Sequence, residues 1–165
     1  MDYLVNDAGI DYLGDLRFSD GSPVYNEREL RHMVDVKVAI QIALRVWWLS
    51  LVGLVVSGAW AGLSNRLNGF WRSIRRGVWL TIFLVIGVVI FVAVGFGIFF
   101  VAFHNLFFEP GTWTFLWSDT LIRLFPERFW RDIFIYIAAI SAGLGIVLWI
   151  VSNVRPGARL TGRNR

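Results

Sequence analysis

Cysteine is absent from this 165-residue sequence, and histidine occurs only twice, as His32 and His104. Disulfides, thiolate nucleophiles and cysteine-ligated metal sites are therefore excluded, and a histidine-based metal site would need carboxylate ligands as well. The motifs G-x-S-x-G and H-E-x-x-H are also missing. The sequence therefore indicates neither the nucleophile elbow of a serine hydrolase nor the zinc-binding helix of a metallohydrolase.

Charge is scarce as well, because only 17% of the residues are ionised while 56% are hydrophobic. Nine tryptophans and fourteen phenylalanines exceed what a small soluble core needs, so the composition is that of a membrane protein. The net charge of +4 does not indicate nucleic-acid binding, since the arginines cluster beside apolar runs and not on a polar domain. We expect the lipid bilayer, and no nucleic acid, as a partner.

Three proline-free segments are long and apolar enough to cross a bilayer, which takes about 20 helical residues. They cover about residues 38–63, 78–103 and 133–152. Backbone polar groups cannot remain unpaired in lipid, so each segment is predicted to be a helix. The sequence therefore predicts an all-α membrane protein with three transmembrane helices. Its predicted parts are an extracytoplasmic segment (1–25), a helical bundle (26–153) and a basic cytoplasmic tail (154–165).

The charges in the connecting segments predict the orientation in the membrane. Residues 64–77 and 153–165 each carry four arginines and no acid, whereas residues 1–35 carry eight acids and three arginines. Positively charged loops remain on the cytoplasmic side of a bacterial membrane. The N-terminal segment and residues 104–132 are accordingly predicted to lie outside, and the C-terminus in the cytoplasm.

The external N-terminal segment lacks the basic and apolar pattern of a signal peptide. We therefore expect an upstream transmembrane helix to precede it. Translocation of the segment by the first span is the alternative.

The polar residues before the first span suggest a site at the outer face. Asn26 followed by Glu29 fits a capping box, so the first helix is predicted to start there and continue into the span. Asp35 follows His32 by three positions, a spacing at which it can hydrogen-bond the imidazole. Arg45 lies inside the apolar run, where a cation usually faces a partner or a wet cavity, although snorkelling to the interface is possible.

The second histidine, His104, ends the second span on the same predicted side, and an unusually apolar loop follows it. We expect the aromatic residues of this loop to lie among headgroups or to line a lipid-facing cleft. The plain interpretation of His104 is a helix-end residue that complements the dipole, and that of His32 is a solvated interfacial residue.

Two histidines can exchange protons near neutral pH. Acyl transfer between groups held together needs a base for the attacking amine or water, a stabilising group for the oxyanion, and an acid for the leaving alkoxide. His32 and His104 are the candidate catalytic residues, and we expect their imidazoles to come together on the extracytoplasmic rim of the bundle. The candidates for orienting groups or stabilising the oxyanion are Asp35, Arg45, Asp119 and Arg123.

Three segments resemble a known family: YNERELRHMVDVK (25–37), FHNLFF (103–108) and SDTLIRLFPERFWRD (118–132). They are similar to signature blocks of a bacterial integral-membrane family that includes the lipoprotein intramolecular transacylase Lit. The likeness extends over about residues 22–153.

The resemblance implies a four-helix membrane protein with an outward-facing site. It also implies transfer of the sn-2 acyl chain of a diacylglyceryl-modified lipoprotein to the amine of its N-terminal cysteine. His32 and His104 match the two histidines of the family, and no metal or cofactor is implied.

Two other functions remain open from the residues. The chain can be a non-catalytic membrane assembly or accessory protein, which its small-residue helix faces and arginine-rich segments also fit. It can also be a lipid-ester hydrolase, in which water attacks in place of an amine.

Overall fold

The computed structural model describes residues 2–154. Helices make up 78% of the structure, and the described part contains no strand beyond an isolated bridge between Arg17 and Pro23. The predicted all-α fold is confirmed. The described residues form six helices: α1 (Asp2–Val5), α2 (Asp11–Gly14), α3 (Glu27–Leu63), α4 (Leu67–Phe107), α5 (Thr120–Leu124) and α6 (Glu127–Val154).

Three of these helices, α3, α4 and α6, are long and apolar enough to cross a membrane. Each contains one of the three predicted spans. The extent of α4 differs from the prediction, because the helix begins at Leu67 and leaves only residues 64–66 between it and α3. The arginines between residues 67 and 77 interrupt the apolar run but not the helix, since arginine is a good helix former.

Both ends of α3 are encoded locally. The backbone N–H groups of Arg28 and Glu29 donate to Asn26 Oδ1 at 3.0 Å, and Asn26 N–H donates to Glu29 Oε2 at 2.8 Å, which confirms the predicted capping box. At the other end, Arg66 N–H donates to Ala61 O, and Asn65 adopts a positive φ of 56°. This is a Schellman-type ending, and asparagine is one of the few residues that tolerate the left-handed conformation.

The described residues divide into two compact units, one comprising residues 2–53 and 94–133 and the other comprising 54–93 and 134–154. In the second unit, Gly58 allows close packing of α3 on α4, because a Cβ there would lie 3.3 Å from Cζ of Phe70. Arg75 donates to the carbonyl oxygen of Ser152 at 3.0 Å and so satisfies a C-terminal carbonyl of α6. A cation is also favourable at that end of a helix.

In the first unit, the N-terminal segment is fixed to α3 by a lysine. Lys37 Nζ donates to the carbonyl oxygen of Ala8 at 2.6 Å and to Asn6 Oδ1 at 3.3 Å. The same ammonium lies 4.2 Å from the ring centroid of Tyr3, a cation–π distance, and Tyr3 is buried. The contacts place Leu4, the neighbour of Tyr3, in the wall of the cavity described below.

Candidate active site

The two histidines come together within the first unit. His32 lies in the second turn of α3 and is only 5% exposed, and His104 lies in the last turn of α4. Their ring centroids are 6.0 Å apart, with an angle of 26° between the ring planes. The prediction that these imidazoles meet is thus confirmed.

Aromatic rings surround the histidine pair. Phe108 and Phe115, from the segment that follows α4, place their rings edgewise to His32, at centroid distances of 5.0 Å and 5.3 Å. Trp113 lies 4.8 Å from His104. The large apolar side chains of this loop therefore fall into two groups, one packed around the histidines and one exposed, since Trp117 and its neighbour Leu116 are 86% and 62% exposed.

The hydrogen bonds of the two rings differ. Nδ1 of His104 lies 2.8 Å from the carbonyl oxygen of Phe100, one helical turn earlier. A carbonyl oxygen can only accept, so Nδ1 carries the proton and Nε2 of the neutral ring carries the lone pair. This bond also matches the plain interpretation of His104 as a residue that binds helix carbonyls. Nδ1 of His32 is buried and has no hydrogen-bond partner within residues 2–154.

The histidines border a cavity of about 110 Å³. Its walls come from the N-terminal segment, α3, α4, the loop before α5, and the starts of α5 and α6. The two imidazoles are the only ionisable side chains among the lining residues, which are Leu4, His32, Met33, Val36, Phe100, His104, Trp113, Phe115, Leu121, Ile122, Phe125 and Trp130. Any proton transfer by a side chain within this cavity consequently falls to His32 or His104.

A polar network holds the start of α3 against the start of α5. Glu29 is 1% exposed, and its Oε1 accepts a hydrogen bond of 2.6 Å from the backbone N–H of Leu121. Asp119 accepts from Asn26 Nδ2 at 3.1 Å and from Arg28 at 3.2 Å. Burial, and secondarily the Glu29 carboxylate, raises the pKa of the nearby Tyr25 above its usual value.

Of the four predicted orienting residues, only Asp119 joins this network. Asp35, Arg45 and Arg123 are exposed, and none of them lines the cavity. The expected hydrogen bond between Asp35 and His32 does not form within the described residues. The cost of desolvation explains the difference, because an unpaired carboxylate is disfavoured in the apolar surroundings of His32 and remains in solvent.

Sequence reasoning missed the burial of Glu29 and the contribution of Leu4 to the cavity. The capping box identified Glu29 as a cap, but its second bond reaches a residue 92 positions away. Leu4 belongs to the N-terminal segment that Lys37 contacts at Asn6 and Ala8, and a single lysine before an apolar run gives no signal of such contacts. Of the predicted basic tail (154–165), residues 155–165 lie outside the described residues.

Comparisons with known proteins identify the family to which the chain belongs. The family model described as lipoprotein intramolecular transacylase Lit matches residues 1–130, a range that contains both histidines and the Glu29 network. A protein of Aquifex aeolicus (strain VF5), described as uncharacterized, is 29% identical over 154 residues. That alignment covers 88% of this chain and 64% of the relative, so the chain spans less than two thirds of the relative's length. No solved structure gives a significant match. The chain belongs to the lipoprotein intramolecular transacylase family, Lit.

Proposed function

We propose that this protein is an acyltransferase acting on bacterial lipoproteins. It moves the sn-2 acyl chain of the diacylglyceryl group to the α-amine of the same lipoprotein's N-terminal cysteine. The observation that carries this proposal is the pairing of His32 with His104 as the only ionisable groups lining an apolar, aromatic cavity. Membership of the Lit family supports the same reaction class.

His104 is the proposed general base. Its Nδ1 proton is engaged by Phe100 O, so the lone pair of the neutral ring is on Nε2. An imidazole has an ordinary pKa near 6.5, which leaves much of it neutral at physiological pH. Nε2 takes a proton from the cysteine amine as the amine nitrogen attacks the sn-2 ester carbonyl carbon.

His32 is the proposed general acid. Orphaned N–H groups are rare in protein interiors, so we assign the proton of its neutral ring to Nε2 and the lone pair to the partnerless Nδ1. As the tetrahedral intermediate collapses, the ester C–O bond breaks and the Nε2 proton passes to the leaving alkoxide. The products are an amide and an sn-2 hydroxyl. A proton then passes from His104 to His32, which restores both neutral rings, so the reaction consumes no proton overall.

The apolar walls favour transfer to the amine over hydrolysis. Phe108, Phe115 and Trp113 restrict the access of water to the imidazoles. The amine and the ester belong to one molecule, so the effective concentration of the nucleophile is high without an enzyme-bound acyl intermediate. Because a carbonyl developing negative charge needs a donor, the Nε2 proton of His32 also stabilises the oxyanion before it is transferred.

The proposed reaction takes place at the outer leaflet of the bacterial cytoplasmic membrane. The three spans cover about residues 38–63, 78–103 and 133–152, which leaves His32 and His104 beyond the span ends. The arginines of residues 64–77 and 153–165 support a cytoplasmic location for those segments. In this arrangement residues 1–25 lie outside the cell, and the substrate reaches the cavity sideways from the lipid.

The proposal is tested by the mass of a lipoprotein made with and without this protein. The host should be a bacterium whose lipoproteins carry a diacylglyceryl cysteine with a free amine. The expected product keeps its total mass but shows one acyl chain on nitrogen and one on glycerol after fragmentation. Loss of an acyl chain with release of free fatty acid would instead identify a hydrolase. An unchanged lipoprotein would contradict an enzymatic role and favour an accessory protein.

A further inference from the structure

Glu29 is buried more completely than any other charged residue described between residues 2 and 154. Its two carboxylate oxygens accept different backbone donors, the N–H of Leu121 at 2.6 Å and the N–H of Asn26 at 2.8 Å. Hydrogen bonds to an ionised group are shorter and stronger than those between neutral groups. The carboxylate therefore fixes the first turn of α3 directly to the first turn of α5.

Each end of this connection carries part of the site. His32 follows Glu29 by three residues on α3, while Leu121 and its neighbour Ile122 form cavity wall on α5. Phe115, whose ring contacts His32, comes from the loop that leads into α5. Asp119 binds Asn26 and an arginine of the same α3 turn, so the loop is held at a second point.

A carboxylate is unusually well suited to this position. Both of its oxygens are acceptors, and both face N–H donors here. Glutamine has nearly the same shape but offers one acceptor and one NH₂ group, so one of the two backbone donors would meet another donor. Burial makes that mismatch costly, since a buried polar group without a partner loses the hydration it had in solvent.

We propose that Glu29 is a positioning residue for the acyl-transfer site. It acts through the backbone of Leu121 and holds the wall formed by Phe115, Leu121 and Ile122 against His32. This role rests on the proposed function, because it concerns the reaction that His32 and His104 perform. Glu29 itself lines no part of the cavity and touches no reacting atom.

The test compares Glu29→Gln with Glu27→Gln in the full chain. Glu27 lies in the same helical turn, but its side chain is 93% exposed, and its one ion pair within the described residues is with Arg31 at 3.7 Å. Two properties are measured: kcat and KM for a diacylglyceryl lipopeptide, and the rate at which diethyl pyrocarbonate modifies each histidine, read by peptide mapping. The chain has only two histidines, so the modification reports on the site alone.

Glu29→Gln should lower kcat by on the order of 100-fold, the size of effect that about 1 Å of misplacement produces. KM should change little, and His32 should be modified faster because its cavity wall is no longer fixed. Glu27→Gln should resemble the wild type in both measurements. Wild-type kcat and wild-type histidine protection in a folded Glu29→Gln protein would overturn the proposal.

Glu29→Asp provides the second variant in case Glu29→Gln does not fold. It keeps the charge but is one methylene too short to reach both donors, so kcat should fall by an intermediate factor and histidine protection should be partly lost. If neither variant folds, Glu29 serves folding as a whole and the positioning role is overturned. If the wild-type protein transfers no acyl chain while Glu29→Gln still exposes His32, the proposed function fails but the structural role of Glu29 stands.

Discussion

Nδ1 of His104 donates a hydrogen bond to the carbonyl oxygen of Phe100, 2.8 Å away and one helical turn earlier. The bond holds the imidazole in one tautomer and orients its ring within the last turns of α4. A histidine that serves as a base needs its lone pair directed at the substrate, and a second hydrogen bond on the other nitrogen is the usual way to secure that. The backbone of α4 thus determines which nitrogen of neutral His104 carries the lone pair.

The first prediction concerns this tautomer. Nitrogen NMR of the protein labelled with ¹⁵N-histidine should show only two imidazoles, since the chain has only two histidines. At neutral pH the ring of His104 should carry its proton on Nδ1, and its Nε2 should have the chemical shift of an unprotonated nitrogen. The resonance assigned to His104 is the one that disappears in His104→Asn. A proton on Nε2 of neutral His104 would contradict its role as the base.

The large features of this fold follow from local properties of the sequence. The three long helices follow from hydropathy and length, and the start of α3 follows from the spacing of Asn26 and Glu29. The proximity of His32 and His104 was predicted from their positions at the same ends of two adjacent spans. These inferences succeeded because the bilayer restricts a spanning chain to helices that alternate in direction.

The second prediction concerns the attachment of the N-terminal segment. Lys37→Met keeps the apolar stem of the side chain but removes the bonds to Ala8 and Asn6. Hydrogen bonds from a charged donor and a cation–π contact are lost together, so local opening of residues 2–16 should become easier by about 1–2 kcal/mol. Hydrogen exchange measured by mass spectrometry would report the change.

Arg45→Met is the matched control for Lys37→Met. Arg45 is an exposed cation on the same helix, with no hydrogen bond or ion pair within the described residues. Its replacement should leave exchange in residues 2–16 unchanged. Equal protection of the N-terminal segment in the wild type and in Lys37→Met would show that the lysine does not hold it.

The third prediction concerns the exposed tip of the loop between α4 and α5. Trp117 and Leu116 are strongly exposed although both are large and apolar, which is typical of residues at the level of lipid headgroups. The chain has no cysteine, so Trp117→Cys can be labelled with a single bimane fluorophore. In proteoliposomes, spin-labelled lipids should quench this label efficiently and aqueous iodide should quench it poorly.

Ser19→Cys, in an exposed turn of the N-terminal segment, is the control position for this labelling. Its label should show the opposite pattern, with strong quenching by iodide. If the two labels respond alike to both quenchers, the loop tip does not enter the membrane interface.

The fourth prediction concerns orientation. A membrane-impermeant maleimide applied to intact spheroplasts should label Ser19→Cys, which lies in an exposed turn of the N-terminal segment. It should label Ser64→Cys, in the turn between α3 and α4, only after the cells are broken. The physical reason is the retention of arginine-rich segments in the cytoplasm. The reverse pattern would place the histidine cavity on the cytoplasmic side and rule out the outer leaflet.

The parts of the site that the sequence did not reveal depend on long-range contacts. The hydrogen bond expected between Asp35 and His32 was inferred from helical spacing. Spacing alone does not show which face of the helix is buried and which is in solvent, and here His32 is buried while Asp35 is exposed. The hydrogen bond between Leu121 and Glu29 forms because the segment after α4 packs against the start of α3. No local sequence pattern predicts that tertiary contact. The position of Leu4 in the cavity wall likewise accompanies tertiary contacts, those of Lys37 with Asn6 and Ala8.

The most direct measurement is the acylation state of a lipoprotein co-expressed with His32→Ala and, separately, with His104→Ala. General acid–base groups contribute about 100- to 10,000-fold each to such a reaction. Both variants should therefore leave the lipoprotein with a diacylglyceryl cysteine and a free amine, while the wild-type chain converts it to the N-acyl, monoacylglyceryl form. Abundant N-acylated product with either variant, at wild-type levels of folded protein, would contradict the two-histidine mechanism.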